Sequence, residues 1–435
     1  MLTTTAMLLL AGLGLATPPP WLQQPKRFAE VPQAGATFGE SVAIDGDWLA
    51  IGAPHESAPV PAQAEGNSPD ALLIALDVGK VYLYHRELSG WQYHSTLTGN
   101  QGGAQFGYAV SLHGDGLLVG APFYDITNGP TDAGKVALYR LEQNAWSPEG
   151  TVFGTLKLGL AVALFGDGVN TYAAMGSPLN GHGFVSILRR DPVGNEAFET
   201  ITLPAGLVDG DTFGESLAGD GGNLIVGARH KTVGGQANAG IAYVFYRSYF
   251  GDWHVFGELA YPNPVSGDYS GYSVAISGHW AAIGAPGRTL ANAPADTGAV
   301  QTSVYVDGSG WIPYQEFTGS SADTDDAFGN DIALQGKHLL VGARDDDSHG
   351  GTPDIGSAYF FLRTDGFPVP LWNETGKFMN ASPAQLDWFG FGVALSGSTG
   401  VVGAPLDATD SGTTLVQAGS ITLFVYDQIF ADGFD

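Results

Sequence analysis

The chain lacks cysteine, has few cationic residues, and has no long apolar run beyond its N-terminus. The absence of cysteine among 435 residues excludes disulfide bonds and thiolate metal sites. Only 17 Lys and Arg residues stand against 44 Asp and Glu, giving a formal net charge of −27. Such an acidic surface repels phosphate backbones and anionic lipid, so nucleic acid and membrane surfaces are disfavoured as partners. No run of 18 apolar residues follows the N-terminus, and no transmembrane segment is predicted.

The sequence patterns of common catalytic sites are also missing. There is no G-x-S-x-G elbow, no H-E-x-x-H pair, no P-loop and no dinucleotide fingerprint. The ten histidines are scattered, and only His349 stands near a group of acidic residues. The sequence therefore predicts a protein that is not an enzyme and that needs no cofactor.

Both ends of the chain differ in composition from the middle. Residues 1–16 are apolar and end in the small-residue pattern Gly14-Leu15-Ala16, which is typical of a signal peptide and its cleavage site. This predicts a secreted or cell-envelope protein, and a large exported chain without cysteine favours a bacterial source. Residues 428–435 form a short C-terminal tail. The domain itself is expected to span residues 17–427.

A phrase of 17 residues recurs along this domain. It reads FGESVAIDGDWLAIGAP from Phe38 and FGYAVSLHGDGLLVGAP from Phe106. Further copies start at residues 213, 270, 328 and 389, and a degenerate copy starts at 158. Each copy contains two short apolar runs around a turn with Gly or Asp, which predicts a β-hairpin.

Two more strands follow each hairpin. The third begins with Gly and is rich in β-branched and aromatic residues, as in GKVYLYHR from Gly79. The fourth begins with Trp in most repeats, and Phe198 is expected to replace Trp in the third. Seven repeats of four antiparallel strands predict an all-β fold, a seven-bladed β-propeller.

The strand count also predicts how the ring closes. The last repeat ends its third strand at Asp427 without a Trp strand, whereas an unpaired Trp strand precedes the first phrase at residues 21–31. We expect this N-terminal strand to complete the last blade, which removes the open edge of a linear array.

The phrase resembles the FG-GAP repeat of the integrin α-subunit propeller and its bacterial relatives. The resemblance covers residues 21–427, and six of the seven copies keep the 17-residue spacing. It implies that the small and aromatic residues of the phrase are structural, with Phe filling space between blades and Gly allowing close approach. These residues are Phe38, Gly39, Gly52, Phe106, Gly107, Gly120, Phe213, Gly214, Phe328, Gly329, Phe389 and Gly390.

The same resemblance implies calcium in the turn between the first two strands. The turns of this chain depart from that pattern, because the first is only Asp45-Gly46-Asp47 and another is Gln335-Gly336-Lys337. A calcium ion takes six to eight oxygen ligands, which a turn with one or two carboxylates cannot supply. Calcium is possible elsewhere, but the calcium loops of the family are not predicted here.

A candidate site lies in the loops opposite these tight turns. The loops after Gly-Ala-Pro and before Phe-Gly share one face, and those of the sixth repeat are the most acidic. Exposed carboxylates there are expected to converge and to hold a polyhydroxyl ligand or a divalent cation. The alternative is turn chemistry, because Asp favours turns through local hydrogen bonds. The candidate residues are Asp323, Asp325, Asp326, Asp345, Asp346, Asp347 and Asp354.

Two functions are compatible with these observations. The first is an adhesion-type interaction module, expected to be monomeric, that recognises a protein or a glycan through its loop face. The alternative is a carbohydrate-active enzyme, a hydrolase or lyase, that uses carboxylates on the same face.

Overall fold

Short antiparallel strands build the whole of the described chain. The structure is a computed structural model that describes residues 21–61, 72–291, 293–321, 323–347, 353–365, 369–409 and 415–427. Within these ranges no helix is long and apolar enough to cross a membrane. The predicted signal peptide (1–16) and the tail (428–435) lie outside the described residues.

The strands are numbered in chain order. The first eleven are β1 (Trp21–Gln23), β2 (Val42–Asp45), β3 (Trp48–Ala53), β4 (Ala58–Pro61), β5 (Leu72–Ala75), β6 (Lys80–Glu87), β7 (Gly90–Thr98), β8 (Val110–His113), β9 (Gly116–Ala121), β10 (Lys135–Glu142) and β11 (Ala145–Phe153). The next eight are β12 (Ala161–Gly166), β13 (Thr171–Ser177), β14 (Phe184–Arg190), β15 (Glu196–Glu199), β16 (Leu217–Asp220), β17 (Asn223–Ala228), β18 (Ile241–Arg247) and β19 (Trp253–Leu259). The last eleven are β20 (Ser273–Ser277), β21 (Trp280–Ala285), β22 (Ala299–Val306), β23 (Gly310–Phe317), β24 (Phe328–Gln335), β25 (His338–Ala343), β26 (Ser357–Thr364), β27 (Leu371–Phe378), β28 (Val393–Ser396), β29 (Thr399–Ala404) and β30 (Ser420–Tyr426).

These strands form seven four-stranded antiparallel sheets in the described part of the chain, so the prediction of a seven-bladed propeller is confirmed. Blade 1 is β2-β3-β6-β7, and blades 2 to 6 each use four consecutive strands from β8 to β27. Blade 7 has the order β28-β29-β30-β1. The longest insertion, after the first phrase, contains a separate hairpin of β4 and β5.

The N-terminal strand closes the ring, as the strand count predicts. Strand β1 pairs antiparallel with β30, with Trp21 opposite Tyr426, and a further bridge joins Arg27 to Ile421. The Trp21 side chain is only 1% exposed, and its ring centre lies 4.3 Å from that of Phe360 in blade 6. Regular pairing is limited to Trp21–Gln23, which is shorter than the run expected from the sequence.

The Phe of each phrase packs between blades. Phe38 is fully buried in a cluster that contains Ile51 and Tyr82 of blade 1 together with Ile421 of blade 7. Its backbone N–H donates to the carbonyl of Ala418, and the same link recurs at each later blade junction. Each phrase therefore begins by pairing with the preceding blade, which ties successive blades together.

The Gly of each Gly-Ala pair sits where adjacent inner strands approach most closely. A Cβ on Gly52 would collide with the carbonyl oxygen of Gly107, the phrase Gly of the next blade. The series continues around the ring and ends where Gly403 of blade 7 meets Gly39 of blade 1. These glycines are structural, as the resemblance implies, because any side chain would push the blades apart.

The third repeat corrects one detail. Strand β15 is present, but the Phe198 side chain is 63% exposed, whereas Trp91 and Trp253 are buried. The expectation that Phe198 replaces Trp is therefore wrong. Blade 3 lacks an aromatic anchor on its outer strand, and Trp253 of blade 4 packs against its Tyr172 instead.

Candidate functional site

The two faces of the ring differ in the length of their connections. On one face, two-residue turns such as 46–47 join the first strand of a blade to the second in six blades, and the four-residue turn 167–170 does so in blade 3. On the other, the loop face, lie the longer segments after each Gly-Ala pair and before each phrase. All seven acidic residues proposed from the sequence belong to the loop face of blade 6.

Two of these acidic residues occupy backbone positions that recur around the ring. Asp354, two residues before the third-strand Gly, has a φ of 54°, and residues at the same position in other blades are also left-handed. Asp325 has a φ of 64°, where Gly267 and Gly210 stand in two other blades. Asp and Asn tolerate this backbone region better than most residues. The alternative of turn chemistry therefore accounts for Asp325 and Asp354.

Asp326 has a similar structural task. Its carboxylate accepts the backbone N–H of Asp323, three residues earlier. The same bond is 2.8 Å long from Val208 to Asp211 in blade 4 and 2.7 Å long from Val265 to Asp268 in blade 5. An Asp two residues before the phrase thus closes the loop that enters each of these blades.

Asp346 forms a buried ion pair. Its carboxylate oxygens lie 2.8 Å from Lys377 Nζ and 2.6 Å from the hydroxyl of Tyr359, which donates to it. Asp326 and Asp346 are each 1% exposed, so the expectation of exposed carboxylates is wrong for these two. Burial and the neighbouring Asp346 carboxylate raise the pKa of Asp326 to about 7. The positive partner of Asp346, Lys377, lies on strand β27, 31 residues further along the chain.

The other members of the group stay nearer the surface. Asp323 and Asp347 are exposed, and Asp347 accepts the N–H of Asp354 over 2.9 Å. Asp345 is half-buried, 3.2 Å from Arg344 Nε, and burial raises its pKa although Arg344 opposes the shift. The charges of Asp354 and Asp325 also raise the pKa of Asp345, with a smaller effect than burial. Their role in binding a ligand stays a prediction.

Among the described residues, no group of three or more His, Asp or Glu side chains is arranged to hold a metal ion. In blade 1 the turn between the first two strands consists of Gly46 and Asp47, and Asp47 pairs with Arg86 at 2.7 Å. His349, the histidine near the acidic group in the sequence, lies outside the described residues.

A second candidate site is the central channel, which sequence reasoning did not identify. A cavity of about 480 Å³ runs along the inner strands of all seven blades. This volume lies within the range of small-ligand pockets. Its loop-face end is surrounded by the residue that follows Phe-Gly, or its counterpart, in each repeat. These residues, here called the mouth ring, are Glu40, Tyr108, Leu160, Glu215, Tyr272, Asn330 and Phe391.

One side of the mouth carries two arginines held by carboxylates and aromatic rings. Arg229 Nη2 lies 2.8 Å from Glu215 Oε1, and its Cζ lies 4.7 Å from the ring centre of Tyr272. Arg344 Nη1 lies 3.4 Å from the Tyr272 hydroxyl, and Arg344 Nε donates to Asp345. We call these five residues the arginine arc.

The arginine arc continues into a pair of stacked rings. The rings of Trp388 and Phe391 lie 5.8 Å apart with an interplanar angle of 13°. Arg344 Cζ lies 5.6 Å from the centre of each ring. A guanidinium between aromatic rings and a carboxylate has little freedom to reorient. Its N–H donors are therefore already oriented before a ligand binds.

The opposite side of the mouth is more acidic. Glu40 Oε2 lies 4.0 Å from His55 Nε2, and His55 Nδ1 lies 3.4 Å from Asp77. Burial raises the pKa of Glu40, although a hydrogen bond with Thr37 and the charge of His55 oppose the shift. Burial, with a smaller effect from the Glu40 charge, raises the pKa of Tyr108 to about 12.

The sequence does contain a signal for the mouth ring. The residue after Phe-Gly is Glu, Tyr, Leu, Asn or Phe in different repeats, while the Gly before it is present in all seven. A position that varies inside an otherwise constant phrase is not needed by the scaffold. That all such positions meet around one channel follows only from the closed ring.

Comparisons with known proteins agree with this architecture. The model of a family described as FG-GAP repeat matches residues 21–69, 91–139, 203–245, 253–306, 311–361 and 372–420, more than half of the chain. Residues 140–202, which contain blade 3, are not matched, in keeping with the degenerate phrase at 158. No curated protein matches.

Among solved structures, one similar chain is described as the crystal structure of a functionally unknown protein from Desulfotomaculum acetoxidans DSM 771. It is 10% identical over 78% of this chain and 93% of its own, with a TM-score of 0.46.

Proposed function

Because the chain belongs to the FG-GAP repeat family and its repeats form a closed propeller, we propose that it is an interaction module that binds a protein or a glycan at its loop face. We also propose that it acts outside the cell or in the cell envelope, on the basis of the apolar residues 1–16. In this proposal the scaffold positions loop residues, and the loops carry the specificity.

The composition of the mouth ring is the observation that supports this function best. Charged and aromatic side chains there line a cavity, although the same position in blade 3 is Leu160 and the fold tolerates it. Tyr272 and Phe391 combine an apolar surface with nearby donors and acceptors, which is the composition of binding sites. The seven equivalent positions hold five different residue types, a variation that the repeated scaffold contacts do not require.

The experiment is a screen of the full chain against glycan and protein arrays, followed by titration of any ligand found. Tyr272→Ala combined with Phe391→Ala should weaken binding at least about tenfold, because ring truncation removes the main contact surface. The matched control is Tyr249→Ala combined with Phe250→Ala, two rings that are 95% and 89% exposed at a turn on the other face. Equal loss in both double variants would contradict a site at the channel mouth.

A carbohydrate-active enzyme is the competing proposal, and Glu40 is the observation that favours it. A general acid for glycoside cleavage needs a carboxyl group with a raised pKa, and Glu40 has one beside the cavity. Incubation with each bound glycan, followed by product analysis, separates the two functions. Product that disappears in Glu40→Gln would establish the enzyme, whereas binding without product supports the interaction module.

A further inference from the structure

The arginine arc places two guanidiniums, each paired with a carboxylate, at one side of the channel mouth. Lys and Arg account for 17 residues of 435, yet two guanidiniums lie at one side of a single channel mouth. Arg229 and Arg344 directly follow Gly-Ala, where most other repeats have Pro. The side chains of Arg229 and Arg344 are 26% and 29% exposed. Arg344 lines the cavity itself, and Arg229 lies behind Glu215 and Tyr272, which line it too.

The geometry leaves donors for a ligand. A guanidinium has five N–H donors, and Arg344 uses two of them, towards Asp345 and Tyr272. Arg229 pairs through Nη2 with a single oxygen of Glu215. Planar, pre-positioned guanidiniums recognise carboxylates through paired hydrogen bonds. The protein has a net charge of −27, but the arginine arc offers N–H donors to which a ligand carboxylate can bind.

The carboxyl groups and aromatic rings around the arginine arc restrict the chemistry of the ligand further. Glu40, Glu215 and Asp345 supply carboxyl oxygens, and Glu215 Oε2 is buried without a hydrogen-bond partner in the protein, so a ligand donor would satisfy it. Tyr108, Tyr272 and Phe391 supply ring surfaces for an apolar face. The side chains of an acidic peptide bring only acceptors, which would repel these carboxylates. A sugar that carries a carboxylate brings hydroxyl donors, an apolar C–H face and an acceptor on one ring.

We infer that the channel mouth binds a glycan that contains uronic acid, with the sugar carboxylate held by Arg229 and Arg344 and the sugar ring against Tyr272. This inference rests on the proposed function, because it names the ligand class of the same site.

The test is calorimetric titration of the full chain with oligogalacturonate, and with the matched neutral galactose oligosaccharide. We expect oligogalacturonate to bind at least about tenfold more tightly than its neutral counterpart, the contribution of one charge-assisted pair. Arg344→Gln and Arg229→Gln should each remove most of this preference. Arg86→Gln is the control, because it removes the same charge from the turn face, where Arg86 pairs with Asp47.

Folding of each variant is checked by its melting curve. If Arg344→Gln does not fold, Arg344→Lys keeps the charge without the planar fork and should still weaken uronate binding relative to Arg86→Gln.

The possible outcomes separate this inference from the proposed function. Equal affinity for the neutral and the acidic oligosaccharide overturns the inference and leaves a glycan-binding module. Binding of poly-glutamate without binding of oligogalacturonate overturns it in favour of an acidic protein partner. Loss of uronate binding in Arg86→Gln as large as in Arg344→Gln would mean attraction by general charge, which also overturns it. Failure to bind any glycan on the array removes the glycan function itself.

Discussion

At the scale of single residues, the acidic side chains of the loop face divide by burial rather than by sequence position. Asp346 pairs with Lys377 in blade 6, and Asp407 pairs with Lys26 in blade 7 at 3.1 Å. In blade 5 the sign is reversed, because the position of Asp346 holds Arg288 and the position of Lys377 holds Glu316, which pairs with Arg288 at 2.5 Å. A buried pair of opposite charges is therefore retained while its members change places. An unpaired charge at this depth would cost several kcal/mol.

The first prediction follows from this pair. Asp346→Asn should lower the free energy of unfolding by roughly 3 kcal/mol, because it leaves the Lys377 ammonium without its counter-charge. Asp347→Asn should change it by less than about 0.5 kcal/mol, since this side chain is exposed and Asn keeps an acceptor for the N–H of Asp354. Denaturant unfolding of the two variants measures the difference, and equal effects would contradict the assignment.

The second prediction concerns pH and Asp326. Its pKa of about 7 in the folded protein exceeds the ordinary value of 3.8, so the folded state binds this proton more tightly. The resulting stabilisation is complete below the ordinary value and is lost as pH rises through 7. We expect the free energy of unfolding to fall between pH 5.5 and pH 8, and Asp326→Asn to reduce that slope. Identical slopes in the variant and the natural chain would show that Asp326 does not titrate in this window.

At the scale of elements, a three-residue strand carries the closure of the ring. Strand β1 pairs with β30, and Trp21 fills a space against Phe360 and Tyr426. The sequence could predict this strand because the numbers of Gly-led and Trp-led runs balance only if the chain ends meet. Its short length also has a signal in the sequence, because Pro25 has no backbone N–H to donate and stands just after the last paired residues.

The third prediction tests that anchor. Trp21→Ala should destabilise the fold by about 3–5 kcal/mol, the range for removing a large buried aromatic side chain. Leu22→Ala is the control, because Leu22 is its neighbour on β1 and is 38% exposed. Thermal unfolding compares the two variants. A melting temperature in Trp21→Ala that matches Leu22→Ala would mean that β1 contributes little to closure.

The fourth prediction concerns the contact between the last and first blades. Gly403→Ala should destabilise the protein by at least about 2 kcal/mol, because its Cβ would press on the backbone of Gly39. Gly150→Ala, on an outer strand with nothing within 4 Å of the new Cβ, should be neutral or slightly stabilising. Chemical denaturation distinguishes them, and a neutral Gly403→Ala would show that the junction can relax.

At the scale of the whole molecule, the seven repeated phrases made the propeller fold predictable from the sequence, but they did not reveal the mouth ring. Seven phrases specify seven blades, because each repeat can bury its apolar faces only against its neighbours. The ion pair of Asp346 and Lys377 joins residues 31 positions apart in sequence. The mouth ring likewise collects residues from all seven repeats. Such long-range neighbours depend on the registers of many strands, which a local pattern does not contain.

The fifth prediction is a property of the whole ring. In six blades the turn between the first and second strands has two residues, which is too short to surround a calcium ion with oxygen ligands. In the four-residue turn of blade 3, the Asp167 carboxylate already accepts hydrogen bonds from Val169, Asn170 and Tyr172. We expect chelator to leave the melting temperature unchanged and added millimolar calcium to leave it unchanged too. A drop with chelator, reversed by calcium, would show stabilisation by a bound ion and direct attention to the acidic loops of blade 6.

The pairing of β1 with β30 also decides how the molecule responds to a pull on its ends. Because the strands are antiparallel and Trp21 lies opposite Tyr426, the chain enters and leaves the ring at one point on the rim. Tension between a segment before Trp21 and one after Tyr426 would open this pairing one hydrogen bond at a time, as a zip opens, instead of shearing all of it at once. Blade 7 would therefore open first, by separation of β1 from β30. The force would act on the other six blades only after the ring had opened.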